Sequence, residues 1–316
     1  MGPDARFDDL LADPRNFVRP PPPHVPIDKV RRAANAAMMG PPSISIEHVE
    51  DLAVEAGGRS IAMRLYRPSD DAGLPVIVFF HGGGWVWGNL DTHDTICREL
   101  AQASGAAVLA VDYRLAPETR FPGQLDDGME ALRWIRANAE RLRLNGRLIA
   151  LCGDSAGGNL AFSIAILAAR DGLSVQHVAM LYPPLDAGCA SASQHDLADG
   201  YVLTRGGMQW FWDCYLGDPK HASDPLAAPL AANGADWSLL PRVTIVTAEF
   251  DILRDEGELL AARLREAGVA AKHLRYDGMI HGFLSLPVAA DAARNAIGDV
   301  AREIAGTFDR VREADR

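Results

Sequence analysis

From residue 61 onward, short runs dense in Val, Ile, Leu and Phe alternate with stretches whose apolar positions recur every three or four residues, and this alternation constrains the fold more than any other feature. Strand-like runs lie at 61–66, 76–80, 107–111, 148–152, 178–182, 243–247 and 273–276. Helical patterns fill most of the gaps, at 92–104, 125–138, 156–170, 256–267 and 290–310. Parallel strands need a crossover between them and a helix supplies it, so the expected fold class is α/β: a mostly parallel central sheet flanked by helices. One gap departs from the pattern. Between Tyr182 and Val243 lies "YVLTRGGMQWFWDCYLG", where Met208, Phe211, Trp212 and Tyr215 fall at helical spacings in an interval too long for a mere connection. Residues 1–45 are helix-prone in parts and broken by Pro14, Pro20 to Pro23 and Pro41-Pro42. The expectation is that this segment joins an insertion at about 186–225 to form a helical cap over one edge of a main domain spanning 46–316.

The 316 residues are 48% hydrophobic, ample for a sizeable core, and a formal net charge of −11 tells against nucleic acid as a partner. No apolar window is long enough to span a bilayer, so no membrane partner is expected. The opening "MGPDARFDDLLADPRN" alternates charged and apolar residues without the continuous apolar core of a signal peptide, which makes the cytoplasm the expected compartment. Cys97, Cys152, Cys189 and Cys214 contain no C-x-x-C pair, so the chain offers no zinc framework, and no metal is expected. Cys152 reads as a core residue at a strand end.

In "LIALCGDSAGGNLAFSIAILAAR" a strand-like run ends at Cys152 and a helical pattern begins after Ser155. Between them Gly153-Asp154-Ser155-Ala156-Gly157 leaves a turn of almost no length. A serine at its apex is exposed, held in a strained backbone conformation, and placed beside the unpaired N–H groups of a helix N-terminus. The same G-x-S-x-G pattern also suits a serine that merely caps a helix. A serine hydroxyl is a poor nucleophile at neutral pH, so a chemical role requires a base and an acid group that orients it, both at the carboxyl ends of later strands. Among nine histidines, His281 in "YDGMIHGFL" follows the last strand-like run and sits between glycines 278 and 282, which suits a mobile loop. His273 lies inside a strand, and His93, His195 and His221 lie in polar, surface-like stretches. Asp251 falls just beyond a strand in "VTIVTAEFDILRDEG", while Asp255 and Glu256 read as charges favoured at a helix N-terminus. The resulting order is serine, aspartate, histidine.

A developing oxyanion needs converging donors. After the run 76–80, Gly82, Gly83 and Gly84 in "VIVFFHGGGWVWGN" can turn successive N–H groups toward one point, with Ala156 N–H as a further donor. A glycine cluster after a strand also cradles phosphate, but the third glycine of a dinucleotide fingerprint is replaced by Trp87 and no P-loop lysine follows. Trp85 and Trp87 read either as core or as walls of a pocket, and Phe211 and Trp212 of the insertion are further candidates to contact substrate.

"HGGGW" at His81–Trp85, "DYRLAPE" at Asp112–Glu118 followed by Phe121-Pro122, "GDSAGGN" at Gly153–Asn159, "DILRDEG" at Asp251–Gly257 and "HGF" at His281–Phe283 together resemble the bacterial hormone-sensitive-lipase-like carboxylesterases. The resemblance implies one α/β-hydrolase domain with a helical cap, hydrolysing carboxylic esters without a cofactor. It assigns Ser155 as nucleophile, His281 as general base, Asp251 as its orienting acid, and the N–H groups of Gly83, Gly84 and Ala156 as the oxyanion hole. His81, Tyr113, Arg114 and Glu118 look like organisers of neighbouring loops. The family often has proline after the catalytic aspartate, where this chain has Ile252. Asp154 marks the GDSAG branch, which does not fix the substrate. The expected partner is a small-molecule ester with a short to medium acyl chain, and homodimerisation is left open. The rival readings are an amidase or peptidase using the same residues, and a ligand-binding homologue similar to the plant hormone receptors that lack the catalytic histidine.

Overall fold

The computed structural model describes residues 2–40, 44–232, 237–314 and 316, so Pro41 and Pro42 of the expected N-terminal segment lie outside the described residues. In chain order the strands are β1 (His48–Ala56), β2 (Arg59–Arg67), β3 (Leu74–Phe80), β4 (Ala107–Val111), β5 (Leu144–Asp154), β6 (His177–Leu181), β7 (Arg242–Phe250) and β8 (Ala271–Ile280). The α-helices are α1 (Asp8–Leu11), α2 (Ile27–Met38), α3 (Asp94–Ser104), α4 (Gly123–Asn138), α5 (Ala156–Arg170), α6 (Ala192–Asp196), α7 (Arg205–Leu216), α8 (Arg254–Glu266) and α9 (Ala290–Ala314).

All eight strands join one sheet in the order β1-β2-β4-β3-β5-β6-β7-β8. The β1–β2 and β2–β4 pairs are antiparallel, and every pair from β4 across to β8 is parallel. Every residue of β3, β4 and β6 is buried, as expected for strands covered on both faces. The chain leaves β3 for β4 on one side and returns to β5 on the other, so strand order reverses at β3. In such a sheet the crevice outside the carboxyl ends of the two central strands is the natural ligand site. The loops that follow β3 and β5 both open into it.

The alternation predicted seven of these strands and missed β1. "HVEDLAVEA" is charge-rich and largely exposed, and it is a strand because its backbone pairs with β2 through a hairpin at Gly57-Gly58, both with positive φ. The structure also extends β8 to Ile280, so His281 stands directly at the end of the edge strand instead of on a long mobile loop.

The N-terminal segment and the insertion after β6 meet away from the sheet. Val18 and Leu203 form a parallel bridge. Val18 N–H donates to Val202 O at 2.6 Å and Thr204 Oγ1 donates to Val18 O at 2.6 Å. Thr204 also caps α7 by accepting from Gly207 N–H at 3.0 Å, and Gly217 ends that helix in the left-handed conformation. A side chain at position 207 would come within 2.3 Å of Val18 O, which explains the glycine there. The face of α7 that bears Met208, Phe211, Trp212 and Tyr215 is buried, matching the spacing read from the sequence.

Candidate active site

Strand β5 ends at Asp154 and α5 starts at Ala156, leaving Ser155 alone between them at φ +50° and ψ −121°. A non-glycine residue in this region carries strain of about 1–3 kcal/mol, tolerated only where the surroundings over-determine it. Here Ser155 N–H donates to Leu181 O at 2.7 Å and Gly158 N–H donates to Ser155 O at 2.9 Å. The glycines on either side are steric requirements. A Cβ at 153 would lie 2.3 Å from Gly157 O, and one at 157 would lie 1.9 Å from Phe80 O. The turn is therefore clamped between the ends of β3 and β5, and its serine, expected to be exposed, is 9% exposed.

Ser155 Oγ lies 3.0 Å from His281 Nε2, and His281 Nδ1 lies 2.7 Å from Asp251 Oδ2. A buried carboxylate beside Nδ1 places the ring proton there, which leaves Nε2 as the acceptor for the serine hydroxyl. Asp251 is buried, and its second oxygen accepts from Leu253 N–H at 2.9 Å. Position 252, isoleucine where the family often has proline, is likewise buried. The His281 side chain keeps 11% of its surface exposed, so the ring can meet a reactant.

The loop after β3 supplies the donors. Gly83, Gly84 and Trp85 have successive positive φ values of 110°, 60° to the nearest ten for Gly84 (59°), and 60°. Gly82 N–H donates to Asp154 Oδ1 at 2.8 Å, Val86 and Trp87 N–H both donate to Gly83 O at 3.0 Å, and Ala116 N–H donates to Trp85 O at 2.8 Å. Among the described residues, the N–H groups of Gly83, Gly84 and Ala156 meet no hydrogen-bond partner. Unpaired donors next to a serine–imidazole pair are what a developing oxyanion requires.

An alpha/beta hydrolase fold family model matches residues 77–285. The chain is 39% identical over 234 residues to an ethyl acetate hydrolase of Pseudomonas putida, covering 72% of this chain and 73% of that protein. It is 38% identical over 279 residues to the carboxylesterase NlhH of Mycobacterium tuberculosis, covering 85% and 86%. The chain belongs to the hormone-sensitive-lipase-like carboxylesterases. A hyperthermophilic esterase from the archaeon Pyrobaculum calidifontis superposes on it with a TM-score of 0.88 at 37% identity, over 97% of this chain and 99% of that one. It is a carboxylic ester hydrolase, and its substrates are small-molecule esters. Among the described residues, no helix is long and apolar enough to cross a membrane.

Several residues of the esterase's site were not legible beforehand. His93, expected in a surface-like stretch, is buried, with Nε2 3.2 Å from Asp154 Oδ1. Burial alone would raise the Asp154 carboxyl, but the His93 imidazole and the Gly82 N–H outweigh it and hold the carboxyl below its ordinary value. Asp154 thus ties the serine turn to the start of the glycine loop. His81 donates from Nδ1 to Gly82 O at 2.8 Å and stacks on Tyr113, whose hydroxyl donates to His81 O at 2.8 Å. Burial pushes the His81 imidazole down to about 3, so it stays neutral. Glu256, read from the sequence as a charge favoured at a helix N-terminus, does lie in the first turn of α8, but it is buried and accepts from Leu185 N–H at 2.6 Å, Asp186 N–H at 2.9 Å and Gln194 Nε2 at 2.9 Å. Burial raises its carboxyl to about 8. It joins the start of α8, five residues past Asp251, to the loop after β6 and to α6.

The aromatic residues divide. Trp85 has no exposed surface: it stacks on Tyr215 with ring centres 4.2 Å apart and meets Trp212 at 4.6 Å. Of the two readings left open for Trp85, this burial matches the core one; Trp212 is buried in the same packing between α7 and the loop. Trp87 is only partly buried and meets Phe211 edge-on at 4.5 Å. Phe211 sits over the glycine loop so closely that a Cβ at position 84 would lie 2.2 Å from its ring. Among the described residues, the cluster with metal-ligand spacing is Glu47, His48 and Asp70, which is exposed and shares no residue with this site.

Proposed function

We propose that the esterase hydrolyses short- to medium-chain carboxylic esters through an acyl-enzyme on Ser155. The observation that carries the reading is the continuous line from Ser155 Oγ through His281, 3.0 Å away, to Asp251 at 2.7 Å from the far side of the ring. Ser155 Oγ attacks the ester carbonyl carbon as His281 Nε2 takes its proton. The oxyanion is received by the N–H groups of Gly83, Gly84 and Ala156. Collapse breaks the ester C–O bond, and His281 returns the proton to the departing alkoxide, releasing the alcohol. Water then attacks the acyl-enzyme with the same imidazole as base, and Asp251 holds the ring in one tautomer and stabilises its cation throughout.

Residues 1–45 and about 186–225 act as a cap, a reading supported by the Val18–Leu203 bridge and by α7 lying over the glycine loop. With Phe211 this close to Gly84, the space above the donors suits small acyl groups, as does the likeness to an ethyl acetate hydrolase. The same line of contacts favours turnover over ligand holding, because a receptor has no use for a base on its serine. A cytoplasmic setting is supported by four free thiols, three of them buried.

The test is mass spectrometry of the intact protein after a fluorophosphonate, beside p-nitrophenyl esters of graded length, with Ser155→Ala as control. One adduct on Ser155 and rates that fall with chain length are expected. An unlabelled but folded wild-type protein would defeat the nucleophile assignment, and a preference for long chains would defeat the substrate class.

A further inference from the structure

Helix α2 belongs to the N-terminal segment, yet it grips the glycine loop at two points just beyond Gly84. Arg31 and Asn35 are four residues apart and so lie on one face of the helix. Arg31 Nε donates to Val86 O at 2.7 Å, its Nη2 donates to Ala116 O at 3.1 Å, and its guanidinium forks onto Glu118 at 2.8 and 3.1 Å. Asn35 Oδ1 accepts from Gly88 N–H at 2.8 Å. Arg31 and Asn35 are both partly buried, and Val86 O and Gly88 N–H have no other hydrogen-bond partner among the described residues.

The loop from Gly82 to Gly88 is also held at its start, where Asp154 and His93 meet the Gly82 N–H and His81 donates to Gly82 O, and at Trp85, whose carbonyl accepts from Ala116 N–H and whose ring stacks on Tyr215. Beyond Trp85, the polar contacts from outside the loop are those of Arg31 and Asn35 among the described residues. Its three consecutive positive φ values include one at Trp85, which a tryptophan adopts only under external constraint. The directions of Gly83 and Gly84 N–H follow from those dihedrals. A carbonyl and an amide released from their partners beyond Gly84 would let the backbone relax, and the two donors would diverge while Ser155, His281 and Asp251 stayed in place.

We propose that Arg31 and Asn35 are positioning residues for ester hydrolysis, locking the glycine loop so that Gly83 and Gly84 N–H converge only while α2 is docked. The inference rests on the reading of those two groups as oxyanion donors. It makes the N-terminal segment part of the rate-determining apparatus and not only a cover: its undocking disables the hole without disturbing the nucleophile. Because the donors act on charge that develops in the transition state, the loss falls on kcat and leaves KM almost unchanged.

The experiment compares full-length Asn35→Leu, Asn35→Asp, Arg31→Met and Arg31→Lys with the wild type. Each is assayed for kcat and KM on p-nitrophenyl acetate, for inhibition by a trifluoromethyl ketone, and for melting temperature. A small displacement of groups near a reacting centre costs on the order of 10–100-fold, so Asn35→Leu and Arg31→Met are expected to lower kcat about tenfold with KM within about twofold. The ketone, which mimics the tetrahedral state, should lose affinity by the factor that kcat/KM loses. Asn35→Asp keeps the accepting oxygen and should regain most of the rate, a rescue that general destabilisation does not produce. If Arg31→Met fails to fold, the Asn35 pair decides. Wild-type kcat and ketone affinity in Asn35→Leu, with only the melting temperature lowered, would overturn the proposal. Fluorophosphonate labelling of the wild type separates the two readings: no adduct on Ser155 defeats both, whereas an adduct with unaffected variants defeats this one alone.

Discussion

The serine turn and the elements formed by the N-terminal segment and α7 are held by different balances of contact. Around Ser155 the constraint is backbone against backbone: two carbonyl oxygens stand where side chains at 153 and 157 would have to go, and the serine's own N–H and C=O are both engaged. The N-terminal segment and α7 share one short backbone bridge, Val18–Leu203, and are otherwise held by side chains from residues far apart in the sequence: Arg31 and Asn35 on the glycine loop, Thr204 on Val18, and Trp85 stacked on Tyr215. Backbone contacts tolerate almost no substitution, whereas side-chain contacts can be exchanged one at a time. The nucleophile thus sits in the stiff region, whereas the glycine loop beside it is held in part by the exchangeable one.

The sharpest way to test this division is to remove chemistry without touching structure. Ser155→Ala should lower kcat on the order of 10⁶-fold, as for other residues that act as one unit with their base, while the melting temperature stays near that of the wild type. A large fall in melting temperature would mean that the serine side chain is structural. Gly84→Ala crosses the boundary between the regions, since its methyl meets the Phe211 ring at 2.2 Å. We expect a loss of about 10²–10³ in kcat, comparable to removing one oxyanion donor. Adding Phe211→Ala should restore part of it, and a strictly additive double variant would show that the clash is not the cause.

For the aromatic packing between α7 and the glycine loop the effects should appear in stability first. Trp85→Ala removes a fully buried ring and its stack on Tyr215, so unfolding free energy should drop by about 3–5 kcal/mol in denaturant melts. A change below about 1 kcal/mol would show that the site collapses around the gap. The smallest effect concerns Glu256. Its carboxyl is raised from 4.5 to about 8, so the protonated form is the one the fold favours. That contribution is fully present below pH 4.5 and is lost as pH rises through about 8. Glu256→Gln keeps a carbonyl for the Leu185 and Asp186 amides and carries no charge, so it should gain stability relative to the wild type as pH climbs. A gap between their melting temperatures that does not change with pH would refute the assignment.

Legibility followed the same division. The strand–turn–helix around Ser155 was readable because it is local: an apolar run, two small-residue positions and a helical period within one continuous stretch. The approach of Asp251 and His281 was readable because each ends a strand of a parallel sheet, and the order of such ends along one edge follows from chain order. β1 escaped because an edge strand needs no apolar face, only a neighbour with open hydrogen bonds. His93 looked exposed because its sequence neighbours are polar, but its ring lies against Phe79, His81 and Asp154, the last 61 positions away in the chain. Arg31 and Asn35 lie in a segment that the sequence marks only as helix-prone in parts. Nothing in a helical period says that one polar stripe will face a strained loop.

The bridge between Val18 and Leu203 has a consequence for how the molecule is made. Val18 leaves the ribosome long before Val202 and Thr204, on which its hydrogen bonds depend, have been synthesised. The segment around Val18 must wait until residues 202–204, which follow β6, have been translated, so this contact cannot form before the first six strands have been made, whereas α2 meets its partners on the glycine loop much earlier in synthesis. The same segment should be the earliest part of the finished enzyme to exchange its amide hydrogens or yield to a protease, well before the strands beneath it open.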